Sequence, residues 1–365
     1  MRENLNRNWK LCYRPLGWGV DEAALVRFDD SSSFDVSLPC DVHEPLIENG
    51  VIPEPLEGLN SFDCEWVEEK SWWYRREVVL DDAAINAGRI ELTFESIDLE
   101  ADLFVNGAHL AHHANAHVPL VCDITSVAKQ GTNTVLLRVS SGAERVPRDL
   151  VYDLGRSVSK TYGRGDDRRV YLRKPQYVYG WDWGPRLVTC GIVKDVYLQT
   201  FTGVACRDTK LVTETVSVEA RTADVTATVT VENFHIYRTR EASVQVELLF
   251  GGEVAAREWV DILLRSGRNF IGIPFHIEHA HLWWPRGMGD QALYEVRTTV
   301  TSEGDTDVGT PIEYGIRTLR LNEAPMDSGR LFAFEVNGER VFCRGGDWIP
   351  ADSIYSRVSE EKYTA

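Results

Sequence analysis

The chain has 365 residues, 43% of them hydrophobic, which is enough apolar material for packed cores and excludes general disorder. Its formal charge is -17, and no basic run exceeds Arg168-Arg169 or Arg173-Lys174, so it lacks the cationic stripe a nucleic-acid binder needs. Seven cysteines with no Cys-x-x-Cys argue against a disulfide framework or zinc ribbon, and suggest buried thiols in a reducing compartment.

At roughly 100–200 residues per domain the length predicts two or three domains. The first ten residues carry charges but no apolar signal core, and no apolar run is long enough to span a bilayer. The expectation is a cytoplasmic protein without a membrane partner. Short runs rich in Val, Ile, Leu and aromatics at 73–80, 89–94, 103–105 and 134–139 read as strands. They are separated by the turn signals Asn106-Gly107, 131–133 and 140–142. With 193–201 as a last strand they predict a sandwich or jelly roll. Trp66, Trp72 and Trp73 sit where a period-two strand packs a core. His109, His112, His113 and His117 crowd nine residues, but no helix signal gathers them on one face. They read as a polar loop, with no metal expected. Residues 163–169 carry two glycines without the Gly-Lys-Ser/Thr end of a phosphate loop, and read as a polar loop.

The string Trp181-Asp182-Trp183-Gly184-Pro185 admits two readings. Indole faces stack on the C–H face of a pyranose and a carboxylate accepts bonds from hydroxyls, as in a sugar subsite. A turn pinned by buried tryptophans is the commoner outcome of such a composition. Period-two runs at 225–233, 243–250 and 269–277, with 293–300, predict an immunoglobulin-like sandwich without a disulfide. Then 331–336, the Asn337-Gly338 turn and 340–343 signal a hairpin. Residues 356–363 open as a helix with Ser359 as its N-cap. A strand, a loop and a nascent helix are how a βα unit begins. Carboxylates are abundant, and spacing alone nominates no catalytic pair.

Several segments in collinear order resemble β-mannosidases of glycoside hydrolase family two. They are Pro39-Cys40-Asp41-Val42-His43, Ile52-Pro53-Glu54-Pro55 with 66–75, and Tyr179-Gly180-Trp181-Asp182-Trp183-Gly184-Pro185-Arg186 with Gly191-Ile192. Leu282-Trp283-Trp284-Pro285, Phe334-Glu335-Val336-Asn337-Gly338 and 345–352 follow. The resemblance implies a mainly β fold: a galactose-binding-like jelly roll over 1–203 and an immunoglobulin-like sandwich over 204–310. A linker and the first strand of a truncated (β/α)8 barrel would fill 311–365. It implies a retaining exo-glycosidase whose two glutamates lie beyond Ala365, so no catalytic residue is assigned here and the chain alone is expected to be inactive. It also implies a substrate-binding set. Trp181 would wall the sugar ring, Asp182 would hold hydroxyls, Trp183 would act as a prop, and Trp348, Asp352 and Arg173 would join them. The implied partners are a terminal β-mannoside or related oligosaccharide and the missing barrel, with no cofactor. Cys40 and Asp347 depart from the family's Gly and Asn, and the charge at 347 bears on which sugar is taken. The competing readings are a stand-alone carbohydrate-binding or scaffold protein, and a sister β-galactosidase, β-glucuronidase or exo-β-glucosaminidase.

Overall fold

A computed structural model describes residues 2–16, 32–147 and 167–364. They form two compact units, residues 1–200 with 348–365, and residues 201–347.

The first unit is built on alternation. Along Lys70–Leu80, Trp72, Tyr74, Val78 and Leu80 enter the main core. Trp73 points the other way, into a small cluster with Cys12, Phe104 and Leu136. Both faces of this strand are therefore covered, as a period-two strand permits. It lies inside a six-stranded antiparallel sheet in the order Phe34–Val36, Trp9–Pro15, Lys70–Leu80, Gly131–Ser140, Glu100–Val105, Ala108–His113. Register sets Tyr74 opposite both Leu137 and Leu11. A four-stranded sheet, Arg2–Asn4, Val196–Phe201, Arg89–Phe94 and Leu120–Asp123, supplies Ile90, Leu92, Phe94 and Leu198 to the same core. This is the expected sandwich. Trp72 and Trp73 are buried as a core reading requires, and Trp66 packs beside them half-buried.

A third, small ladder matters most for function. Cys40–Asp41, Gly191–Ile192 and Ile97–Asp98 run antiparallel, with Gly191 opposite Asp41 on one side and Asp98 on the other. A Cβ on Gly191 would meet the Cys40 carbonyl at 2.5 Å and the Tyr74 hydroxyl at 2.8 Å, and its φ is +150°. Only glycine fits that crossing.

In the second unit Thr222–Asn233 alternates buried and half-exposed residues along its length. It pairs with Val204–Ser217 and Gly267–Ile277. A facing sheet holds Glu253–Leu264, Arg240–Phe250, Tyr294–Ser302 and Asp305–Val308. Val225, Val229 and Ile273 meet Val246, Leu248 and Val296 between the layers. The cysteines are free, so apolar packing alone closes this immunoglobulin-like sandwich.

Three expectations change. His109, His112 and His113 lie on the strand Ala108–His113, where His109 and His112 reach the buried Asp102 at 3.3 and 3.0 Å. Polar side chains turned onto a buried carboxylate hide the apolar alternation by which a strand is read. The hairpin is real, its Asn337-Gly338 turn having φ of 52° and 83°, but its strands are Ala333–Val336 and Glu339–Val341. A third strand, Leu319–Asn322, pairs with it, and residues 342–350 form no strand. A parallel barrel strand draws its hydrogen bonds from neighbours on both sides, and the described residues offer it none. The predicted helix shrinks to Glu360–Thr364, preceded by a 3-10 turn at Tyr355–Arg357. Ser359 does cap it, its Oγ accepting from the Lys362 amide at 3.3 Å. The 163–169 motif falls outside the described residues up to 166. Among the described residues no helix is long and apolar enough to cross a membrane.

Candidate functional site

The string that admitted two readings folds as a hairpin. Tyr179–Trp181 pairs with Gly184–Arg186, with Tyr179 opposite Arg186 and Trp181 opposite Gly184. Asp182 and Trp183 form the two-residue tip. A 3-10 turn, Gln176–Val178, leads in. The Gln176 amide lies 2.9–3.2 Å from the carbonyls of Arg169, Leu172 and Lys174, which gathers the approach to the hairpin around one side chain.

The hairpin's two ends differ in environment. At the base, Tyr179 is fully buried, and Lys174 and Arg186 lie over its ring at 5.9 and 5.6 Å. Arg186 is itself held by Glu68. At the tip, Trp181 keeps 41% of its surface exposed, with Arg169 over its ring at 5.6 Å, and Asp182 is exposed. Trp183 leans on Tyr177 at 5.3 Å and is half-buried, the geometry of a prop. Burial, then the charges of Asp98, Tyr363 and Asp352, push the Tyr177 phenol up to about 12, so it stays a neutral donor.

The C-terminal segment lies against this hairpin. Ser353 Oγ stands 3.7 Å from where a Gly184 Cβ would be. Ile354 enters the main core, and the Tyr355 hydroxyl donates to Asp98 Oδ2 at 2.9 Å. Asp352 is buried with both oxygens engaged. Oδ1 accepts from the Ile354 amide at 3.0 Å, and Oδ2 from Arg357 at 2.9 Å and Lys362 at 2.8 Å. Burial would raise its pKa, but the Arg357 and Lys362 bonds outweigh it and the carboxyl is held below its usual range. An acid held ionised in this way is no proton donor at neutral pH. Trp348 is 75% exposed, its ring 6.2 Å from that of Tyr363 on the short helix. Arg173 is exposed, and its carbonyl accepts from the Ala116 amide at 2.9 Å.

Of the five predicted residues, Trp181 and Asp182 thus share one exposed tip, and Asp352 fixes the segment packed beside it. Trp348 stands free at the start of that segment, and Arg173 faces solvent just before the hairpin. The sequence missed the buried polar layer beneath: Asp98, Lys174, Thr189 and Tyr355. Their partners are far apart in the chain, and Lys174 itself is hidden in the basic pair Arg173-Lys174. Among the described residues no three His, Cys, Asp or Glu side chains are grouped to hold a metal. The tip offers an indole face beside a free carboxylate, suited to the C–H face and the hydroxyls of a sugar ring.

Comparison with known proteins places the two sandwiches in a family. Residues 21–194 match a family described as glycosyl hydrolase 2 galactose-binding domain-like, and residues 198–317 match glycosyl hydrolases family 2. Beta-mannosidase B of Aspergillus terreus is 32% identical over 337 residues, covering 89% of this chain and 37% of that protein. Its counterpart in Thermothelomyces thermophilus is 32% identical over 345 residues, covering 92% of this chain and 38% of that protein. The chain therefore spans little more than a third of the curated relatives it matches. The crystal structure of beta-D-mannosidase from Dictyoglomus thermophilum superposes with a TM-score of 0.85 at 27% identity, over 100% of this chain and 42% of that one. An Amycolatopsis orientalis exo-chitosanase shares the fold, with a TM-score of 0.69 at 22% identity over 98% of this chain and 38% of that one.

Proposed function

This chain belongs to the glycosyl hydrolases of family 2, and on that premise we propose that it forms the sugar-facing wall of an exo-acting β-mannosidase. On this reading residues 1–203 are the jelly-roll domain, 204–310 the immunoglobulin-like domain, and 311–365 a linker with the opening of a barrel. Trp181 stacks on or walls the terminal mannosyl ring and Asp182 accepts bonds from its hydroxyls. Trp348 adds a second apolar wall, Arg173 a cation at the margin, and Asp352 holds the segment that carries Trp348. The reaction is a double displacement: one glutamate protonates the leaving oxygen while a second attacks the anomeric carbon, and water then releases the sugar. Both glutamates belong to the part of the relatives' length outside this chain, so the chain by itself is inactive. Two carboxylates suffice for this chemistry, without a cofactor.

The observation that carries the reading is the exposed Trp181-Asp182 tip, in a chain matched along about nine-tenths of its length by β-mannosidases. The string Trp-Asp-Trp-Gly-Pro-Arg favours a mannoside over a galactoside or glucuronide. The test is a panel of p-nitrophenyl β-D-glycosides against the gene product read on past Ala365. Fastest hydrolysis of the mannoside is expected, and none by the 365-residue chain. A stop codon after Ala365, or preference for another sugar, would sink the proposal. Turnover by the short chain would overturn the assignment of the glutamates.

A further inference from the structure

We propose that Asp98 is the positioning residue of the Trp181 hairpin, a single buried carboxylate that ties both feet of the hairpin to the segment carrying Trp348 and Asp352. The proposal deepens the sugar-wall reading and rests on it. Three side chains from three stretches of chain meet at this carboxylate. Lys174, on the way into the hairpin, brings Nζ to 2.7 Å from Oδ1. Thr189, on the way out, donates its hydroxyl to Oδ2 at 2.6 Å. Lys174 Nζ closes the ring by donating to the Thr189 carbonyl at 2.6 Å. Tyr355 donates its phenol to Oδ2 at 2.9 Å. Asp98 itself is fixed by the ladder that sets it opposite Gly191.

The side chains of Asp98 and Lys174 are both 0% exposed. A buried ion pair is a poor way to gain stability, because desolvation offsets most of its attraction and an apolar pair of similar volume does as well. What it provides is direction. In a dry site a paired charge holds its partners at set angles. Asp98 Oδ2 takes both hydroxyl bonds, while Oδ1 is met by the Lys174 ion pair and, among the described residues, by no hydrogen bond. Here the arrangement specified is that of the hairpin against the C-terminal segment. Burial, then the charge of Asp98, hold the Tyr355 phenol well above its ordinary pKa, so it remains a donor to the carboxylate. Beyond Tyr355 the segment is held both by its own bonds and by Glu44 and Glu54. Arg357 grips Glu54 through two bonds of 3.0 Å and also binds Asp352, while Lys362 binds Asp352 from the helix that carries Tyr363. A shift at Asp98 therefore moves Trp181 relative to the segment bearing Trp348.

The test uses the purified 365-residue chain and the indole N–H resonances of its eleven tryptophans. The Trp181 and Trp348 signals are assigned by their loss in Trp181→Phe and Trp348→Phe. Thr189→Val and Tyr355→Phe each delete one hydroxyl and leave the ion pair intact, so they keep the fold where Asp98→Asn strands a buried lysine. The expected result is that both variants move the Trp181 signal more than those of Trp9 and Trp72, with Tyr355→Phe also moving Trp348. Unmoved Trp181 signals in both variants overturn the proposal, and so does equal movement of all the indoles, which is general loosening. Titration with methyl β-D-mannopyranoside separates the two readings. If the unmodified chain gives no response while Tyr355→Phe still moves Trp181, the anchor stands and the sugar reading is what fails.

Discussion

Tryptophan does two jobs in this chain, and burial separates them. Trp72 has no exposed surface and donates its indole N–H to the Val67 carbonyl at 3.1 Å. Its replacement by alanine should cost about 3–5 kcal/mol, as large-to-small changes in cores do. Trp181→Ala, at an exposed tip, should cost under about 1 kcal/mol. Denaturant melts of the two variants check this, and a core-sized loss for Trp181→Ala would make that residue structural. Gly191→Ala is the third case. The clash with the Cys40 carbonyl is with backbone, which has no flexible end to swing aside. A loss of at least about 2 kcal/mol is expected from overpacking and backbone strain together. An unchanged denaturation midpoint would show that the ladder can open at no cost.

The C-terminal segment is the element whose behaviour depends most on pH. Glu54 is held below its usual range by its bonds from Arg357, against modest burial. Asp352 is depressed too, its bonds from Arg357 and Lys362 outweighing its burial. Depressed carboxyls bind fewer protons folded than unfolded. Their stabilisation is therefore complete above the ordinary carboxylate range, about pH 4, and is lost as pH falls through the depressed values. Glu44, raised by burial and bonded to Ser356, works in the opposite sense, its cost easing as pH falls. With two lowered groups against one raised, amides from Ile354 to Lys362 should lose hydrogen-exchange protection below about pH 4, before those of Lys70–Leu80. Simultaneous loss in both regions would contradict the assignment. This element was the least legible from sequence. Its contacts to Glu44, Glu54 and Asp98 join residues hundreds of positions apart and leave no local periodicity. The strand Arg89–Phe94, by contrast, was readable to the residue, because Ile90, Leu92 and Phe94 alternate into one core. Leu319–Asn322 was missed because two leucines in four residues are too short a pattern.

At the scale of the whole molecule, two β-sandwiches without disulfides were legible because alternation with a solvent face or a second core is written into each strand. The exposed Trp181-Asp182 tip was singled out as a candidate site only through resemblance. Composition favoured a buried turn for Trp181-Asp182-Trp183, and only Trp183 behaves that way. The buried layer that fixes the tip rests on single long-range contacts, which one sequence does not display. The most direct test of the account is the kcat/KM of the gene product read past Ala365 on p-nitrophenyl β-D-mannoside, with Trp181 intact and with Trp181→Ala. The account predicts hydrolysis by the intact protein and a loss of about tenfold to a hundredfold in the variant, the effect of one lost sugar-stacking contact. An intact protein with no activity on the mannoside, or a variant as active as the parent, would contradict it.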